Sequence, residues 1–188
     1  MKVLVACEFS GIVRDAFIRK GHDAYSCDLL PSESDFGPHI QGDVLEHLND
    51  GWDLMIAHPP CTYLSRMGAV HWKKPGREEK SKEAAQFVFN LRDAPITKIA
   101  IENPIGKLNK LWRYPNQTIQ PYQFGEPYSK ATCLWLKNLP CLIPTELLST
   151  YAYFLGSGSG RQKGVAHNAA DRSRTFQGIA QAMADQWG

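Results

Sequence analysis

"KVLVACEFSGIVRDAFIRKG", residues 2–21, joins a β-rich apolar run to a segment of helical spacing through a turn containing one glycine. Lys2–Ala6 is short and nearly all apolar, which predicts a strand. Gly11–Lys20 sets Ile12, Val13, Ala16 and Phe17 at the spacing of one helix face, so strand, turn and helix follow in order. Gly21-His22 closes the helix, Ala24–Cys27 continues as a second short strand, and His39–Gln41 as a weak third.

The rest of the chain extends this alternation. Asp53–Ala57 is a continuous apolar strand. Glu78–Arg92, with Ala84, Ala85, Val88 and Leu91 on one side, reads as a helix, and Lys98–Ile101 is a further apolar strand. Thr118–Gln123 and Thr132–Leu136 are expected as later strands, and Ser173–Trp187 as a terminal helix with Ile179, Met183 and Trp187 in register. Near-continuous apolar strands alternating with helices indicate an α/β fold with a doubly wound, mostly parallel sheet. At 188 residues and 21.1 kDa, one domain over residues 1–188 is expected. Gly-Ser-Gly-Ser-Gly at 156–160 reads as a flexible loop, because too little chain follows it to fold alone.

Composition excludes several classes. Hydrophobic content of 43% and charged content of 21% suit a soluble globular protein, and no stretch reaches the roughly 20 apolar residues of a membrane span. The amino terminus is too short in apolar residues for a signal peptide, so a cytoplasmic location is expected. The five cysteines are odd in number, scattered and without a C-x-x-C pair, which predicts reduced thiols. His58 and Cys61 offer two metal ligands without a second pair, so no metal is expected. The net charge is only +2, but two stretches are basic: residues 62–82 carry six Lys/Arg against two Glu, and 156–175 four against one Asp.

In an open doubly wound sheet, ligands lie beyond the carboxyl ends of the strands. The residues there are Glu8-Phe9-Ser10-Gly11, then Asp28, Asp43, Pro59-Pro60-Cys61 and Glu102-Asn103-Pro104. Asp28 follows Glu8 by 20 residues, the offset at which nucleotide-binding α/β units place an acid on ribose hydroxyls. A turn with one glycine lacks the three of a pyrophosphate cradle, which points to a nucleoside cofactor without a diphosphate. Taken singly, each of these features also fits an ordinary turn or a solvated acid. Cys61 reads either as a buried, inert thiol or as a nucleophile presented rigidly by two prolines.

As an ordered set, these residues resemble the cytosine-C5 DNA methyltransferase family, particularly its small phage-type members. Phe9-Ser10-Gly11 resembles the family's Phe-x-Gly turn, Asp28 and Asp43 its cofactor acids, Pro60-Cys61 its nucleophile dipeptide, and Glu102-Asn103 its acidic motif. Thr175–Ala184 resembles its last motif, and the likeness spans about residues 1–105 and 172–187. The resemblance implies a Rossmann-like S-adenosylmethionine-dependent methyltransferase fold. It also implies that Glu8, Phe9, Ser10, Gly11, Asp28, Asp43 and Pro59 hold S-adenosylmethionine, while Cys61, Glu102 and Asn103 act on the base. Expected chemistry is methyl transfer to C5 of cytosine in DNA through a cysteine adduct. Glu102, protonated or hydrogen-bonded at N3, would offset charge on the ring. The alternatives are the same chemistry on RNA or a free cytidine nucleotide, or a non-catalytic module that keeps the fold.

The chain departs from the family at several points. Val13 replaces a glycine, Thr62 the usual Gln after Pro-Cys, and Pro104 the Val of Glu-Asn-Val. No Gln-x-Arg-x-Arg strand is present; Lys130 or Thr132 stands at about that place. The target-recognition region is reduced to about residues 140–172. Double- or single-stranded DNA is the expected partner. Arg66, Lys73, Lys74 and Arg77 after Cys61, and Arg161, Lys163, Arg172 and Arg174 near the Gly/Ser loop, are candidate phosphate contacts.

Overall fold

The computed structural model describes residues 1–66, 74–156, 164–167 and 169–188. The Gly/Ser loop beyond Gly156 lies outside them, as do Trp72, Lys73, Arg161 and Lys163. The elements are β1 (Lys2–Ala6), α1 (Ile12–Arg19), β2 (Asp23–Asp28), β3 (His39–Gln41), β4 (Leu54–Ala57), α2 (Arg77–Arg92) and β5 (Lys98–Pro104). They continue with α3 (Leu108–Leu111), β6 (Gln117–Ile119), β7 (Tyr128–Ser129), β8 (Thr132–Lys137), β9 (Ala152–Gly156), β10 (Gly164–His167), α4 (Ala169–Ser173) and α5 (Gln177–Trp187).

Seven strands form one sheet in the order β3-β2-β1-β4-β5-β8-β6. The first five are parallel, and β8 runs antiparallel to both β5 and β6. This is the doubly wound, mostly parallel Rossmann-like sheet expected from the sequence. Its two faces divide the core by the period of a strand: Val3 and Val5 of β1 face one cluster, Leu4 and Ala6 the other. On the first face Phe17 of α1 meets Ile179, Met183 and Trp187 of α5; on the second, Val88 and Leu91 of α2 meet Met55, Ile99 and Trp135. Burial on both faces explains why these strands read as continuous apolar runs.

Three expectations need correction. β6 ends at Ile119, and Pro121–Gln123 forms a 3-10 turn, because Pro121 starts it and the Gln120 and Gln123 side chains cap it reciprocally. The terminal helix starts at Gln177 rather than Ser173: Ser173 closes α4, and Phe176 is extended (φ −72°, ψ 143°), which keeps the residues before it out of α5. β5 extends beyond Ile101, since Glu102, Asn103 and Pro104 pair with Leu134, Cys133 and Thr132 of β8. Glu102 therefore stands on a paired strand rather than on a loop. Within the described part of 140–172, residues 140–151 carry no helix or strand, whereas β9 and β10 join β7 in a small parallel sheet. Among the described residues no helix is long and apolar enough to cross a membrane.

Candidate active site

The turn after β1 is set by backbone geometry. Cys7 (φ 59°) and Gly11 (φ 75°) are both left-handed, a conformation that costs a cysteine energy and a glycine little. Between them Glu8 turns inward, accepting hydrogen bonds from the N–H groups of Val13 (2.7 Å) and Arg14 (3.2 Å) and from Ser10 Oγ (3.2 Å). It thereby caps the amino end of α1, where a carboxylate suits the helix dipole. Burial pushes the Glu8 carboxyl above its ordinary value, against the opposing pull of His58 and the two amides. Arg14, wholly buried, reaches Ser26 Oγ (3.0 Å), the Ser34 carbonyl (3.0 Å) and Asp15 (2.7 Å), holding the segment after β2 against α1. Nothing in the helical spacing marked it, because an arginine normally signals an exposed face.

Burial raises the Cys7 thiol above its ordinary value, and the charges of Asp28 and Asp43, near the ends of β2 and β3, raise it further. Each fixes its own turn with one oxygen, Asp28 accepting from the Leu30 N–H (2.9 Å) and Asp43 from the Leu45 N–H (3.0 Å). The Glu33 N–H donates to the Phe9 carbonyl (2.8 Å), bringing the segment after β2 over the Phe9-Ser10-Gly11 turn.

A second group of residues lines a cavity of about 660 Å³ at the carboxyl ends of β4 and β5. Cys61, Glu102, Asn103, Lys130 and Thr132 all contribute to its wall. Pro59, expected beside the cofactor, also lines it. Asn103 is buried and donates from Nδ2 to the Pro59 carbonyl (3.0 Å), which ties the proline turn to β5. Cys61 follows, with its carbonyl accepting from the Leu64 and Ser65 N–H groups (3.0 and 2.8 Å) in a tight turn. Burial raises the Cys61 thiol above its ordinary value; Lys130 and Arg172 draw it down, while Glu102 adds to the rise.

Glu102 meets a residue that the sequence had offered only as a metal ligand. His58 Nδ1 lies 2.6 Å from Glu102 Oε2, with side-chain exposures of 11% and 17%. Burial would raise the Glu102 carboxyl, but the His58 charge, their hydrogen bond and Lys130 overcome it and hold the group below its usual range. Burial likewise opposes the imidazolium, yet Glu102 and then Glu8 hold His58 above its ordinary value. The pairing thus favours the ionised carboxylate of Glu102 over a protonated donor. The cause is His58, 44 positions away in the chain. Lys130 donates from Nζ to the Arg172 carbonyl (2.7 Å); burial lowers its own pKa, against the pull of Glu102 and Cys61.

The basic residues divide. Arg66 and Arg172 line the cavity and Lys74 is exposed. Arg77 instead donates to the Thr62 carbonyl (2.8 Å) and lies over the Tyr63 ring at 4.2 Å. Arg174 grips Glu33 with two nitrogens (2.7 and 2.8 Å) and Asp171 with the third (2.6 Å). Of these two guanidinium groups, expected at phosphates, Arg174 meets carboxylates with all three nitrogens, whereas Arg77 donates from one nitrogen and its buried Nε has no hydrogen-bond partner among the described residues.

No protein-family model matches the chain, and no curated sequence matches it. Two solved structures are similar in backbone arrangement. One is assigned as a DNA modification methyltransferase encoded within a prophage of E. coli: 15% identity, TM-score 0.49, covering 79% of this chain and 52% of that one. The other is a triple-alanine variant of DNMT2 from Spodoptera frugiperda: 17% identity, TM-score 0.47, covering 88% of this chain and 57% of that one. The chain thus spans a little over half the length of each protein to which it is similar.

Proposed function

We propose that the protein transfers a methyl group from S-adenosylmethionine to C5 of cytosine in DNA, through a covalent adduct with Cys61. The observation that carries this reading is that Cys61 and Glu102 share the wall of one cavity, with Lys130 acting on both. A thiol, a carboxylate and a cation converging on a space large enough for a nucleobase suit conjugate addition to a pyrimidine. The donor set around Phe9-Ser10-Gly11 suits a nucleoside cofactor. Asp28 and Asp43 would accept from ribose hydroxyls and an exocyclic amine, and a single glycine leaves no cradle for a diphosphate. S-adenosylmethionine bound there supplies the methyl group.

Cytosine C5 is a poor nucleophile until a thiolate adds at C6. Cys61 Sγ forms that bond, the C5=C6 pair moves to C4=C5, and the C4=N3 pair moves onto N3. That pair needs a proton, because an ionised carboxylate beside N3 would repel it; Glu102 therefore serves there only by handing a proton to the nitrogen. Lys130 stabilises the thiolate before attack. After methylation, loss of the C5 proton and expulsion of Cys61 restore the ring. The base must leave a duplex stack, or lie in a single strand, to reach the cavity.

The test incubates the protein with labelled methyl donor and, separately, DNA, RNA and dCMP. DNA is expected to take label, and bisulfite sequencing to place it on cytosine, with transfer lost in Cys61→Ser. Label in RNA or dCMP but not DNA overturns the substrate reading; no label in any of the three overturns methyl transfer itself.

A further inference from the structure

His58 occupies a position that neither the cysteine nor the cofactor turn explains. It follows β4 directly, its backbone N–H donating to the Ala6 carbonyl of β1 (2.9 Å), which fixes its backbone at the carboxyl ends of these two strands. Charged groups reach it from every neighbouring element: Glu102 from β5, Glu8 from the turn after β1, and Lys130 from the segment before β8. Nδ1 makes the 2.6 Å contact to Glu102, while Nε2 is buried without a partner among the described residues. Burying a cation next to a carboxylate is costly, and replacing such a pair with apolar groups is often neutral or stabilising. A pair placed in the wall of a reactive cavity instead keeps a proton there.

Nδ1 is hydrogen-bonded to Glu102 and Nε2 has no hydrogen-bond partner among the described residues, so neither ring nitrogen meets the Cys61 thiol, and the arrangement differs from a cysteine–histidine dyad, in which the imidazole removes the thiol proton. An ionised Glu102 has no proton to give to N3 when the thiolate adds, although the displaced electron pair needs one.

We infer that His58 is the positioning residue that holds Glu102 and supplies the proton it passes to N3; this rests on the cytosine reading above. As the Sγ–C6 bond forms, the Nδ1 proton of His58 moves onto Glu102, and Glu102 passes a proton on to N3. The histidinium becomes neutral and the carboxylate charge is restored by transfer, not by solvent. On expulsion of Cys61 the N3 proton returns by the same path, so protons and charge balance over the cycle.

The test measures methyl transfer and solvent hydrogen exchange at cytosine C5 in an oligonucleotide, from pH 6 to 8.5, for wild type and His58→Asn. Asparagine can keep a hydrogen bond to Glu102 but cannot carry the proton. Without histidinium the proton must sit on Glu102 itself, which releases it at lower pH. The wild-type-to-variant ratio should therefore rise with pH, reaching about a hundredfold at the alkaline end, the lower range for general acid catalysis. A ratio constant across pH marks a merely structural histidine and overturns the inference. Nitrogen-15 NMR of the full wild-type chain gives a second reading that does not depend on the variant folding. His58 is expected doubly protonated at pH 6.5, and a neutral ring there overturns the inference. Failure of the cytosine reading is distinguishable, because wild type itself would then neither methylate nor exchange C5 hydrogen, and the inference falls with it.

Discussion

Cys61 shows how a residue's reactivity is decided by neighbours that its sequence context does not contain. Two prolines present the thiol, yet burial opposes its ionisation, and the cation that acts most strongly in its favour, Lys130, is 69 positions further along the chain. Replacing that cation removes a force that lowers the thiol pKa, so the thiolate fraction at any given pH must fall. Lys130→Met is expected to slow iodoacetamide alkylation of Cys61 several-fold near neutral pH and to move the alkylation profile to higher pH. An unchanged profile would show that Arg172 alone supplies the favourable charge. Glu102 carries the same lesson with opposite sign. This carboxylate, expected beyond the strand, is paired within β5, and its lowered pKa follows from His58, a contact that exists only in the folded chain. Arg77 and Arg174 illustrate the limit further: a basic residue in a basic stretch reads as a phosphate ligand until its partners are known.

At the scale of elements, the site depends on two strand ends being joined. The turn after β4 and the end of β5 are joined by backbone: Arg66 N–H donates to the Ile105 carbonyl (2.9 Å), Lys107 N–H to the Leu64 carbonyl (2.8 Å), and Ser65 bridges Gly106. Ser81 of α2 adds a side-chain tie, donating to the Tyr63 carbonyl (2.9 Å) and receiving a hydrogen bond from Lys107 Nζ (2.7 Å). A Cβ on Gly106 would overlap the Leu64 carbonyl, and backbone atoms cannot rotate aside. Gly106→Ala should therefore cost about 1–3 kcal/mol in denaturant unfolding, the range for overpacking. Methyl transfer should fall with it, since Cys61 and Glu102 are carried on the two segments forced apart. Wild-type stability in this variant would show that the bridge does not hold the segments. The later start of α5 was not legible, because its apolar register, Ile179, Met183 and Trp187, lies wholly inside the helix and leaves residues 173–176 undecided.

Over the whole molecule, charge is arranged by what folding leaves exposed. Of the basic residues after Cys61 and near the carboxyl terminus, Arg66, Lys74 and Arg172 lie at the cavity or on the surface, while Arg77 and Arg174 are engaged internally. If the substrate is duplex DNA, removing one cation that neutralises a phosphate should flatten the dependence of log K on log salt by about 0.9. Binding isotherms across salt concentrations are expected to show that change for Arg66→Ala and Arg172→Ala, and none for Arg174→Ala. Equal slopes for all would sever these cations from nucleic acid. Local sequence alone carries the alternation of strands and helices and the order of the polar residues near the carboxyl ends of the strands. Those signals are local: apolar periodicity and turn chemistry act over a few residues, and parallel strands buried on both faces are unmistakably apolar. Only the tertiary structure decided that the ionised form of Glu102 is favoured, that His58 is its partner, and which arginines are engaged within the protein. Pairing energies and burial depend on distances between segments far apart in the chain, and those distances exist only once the sheet has brought the strand ends together.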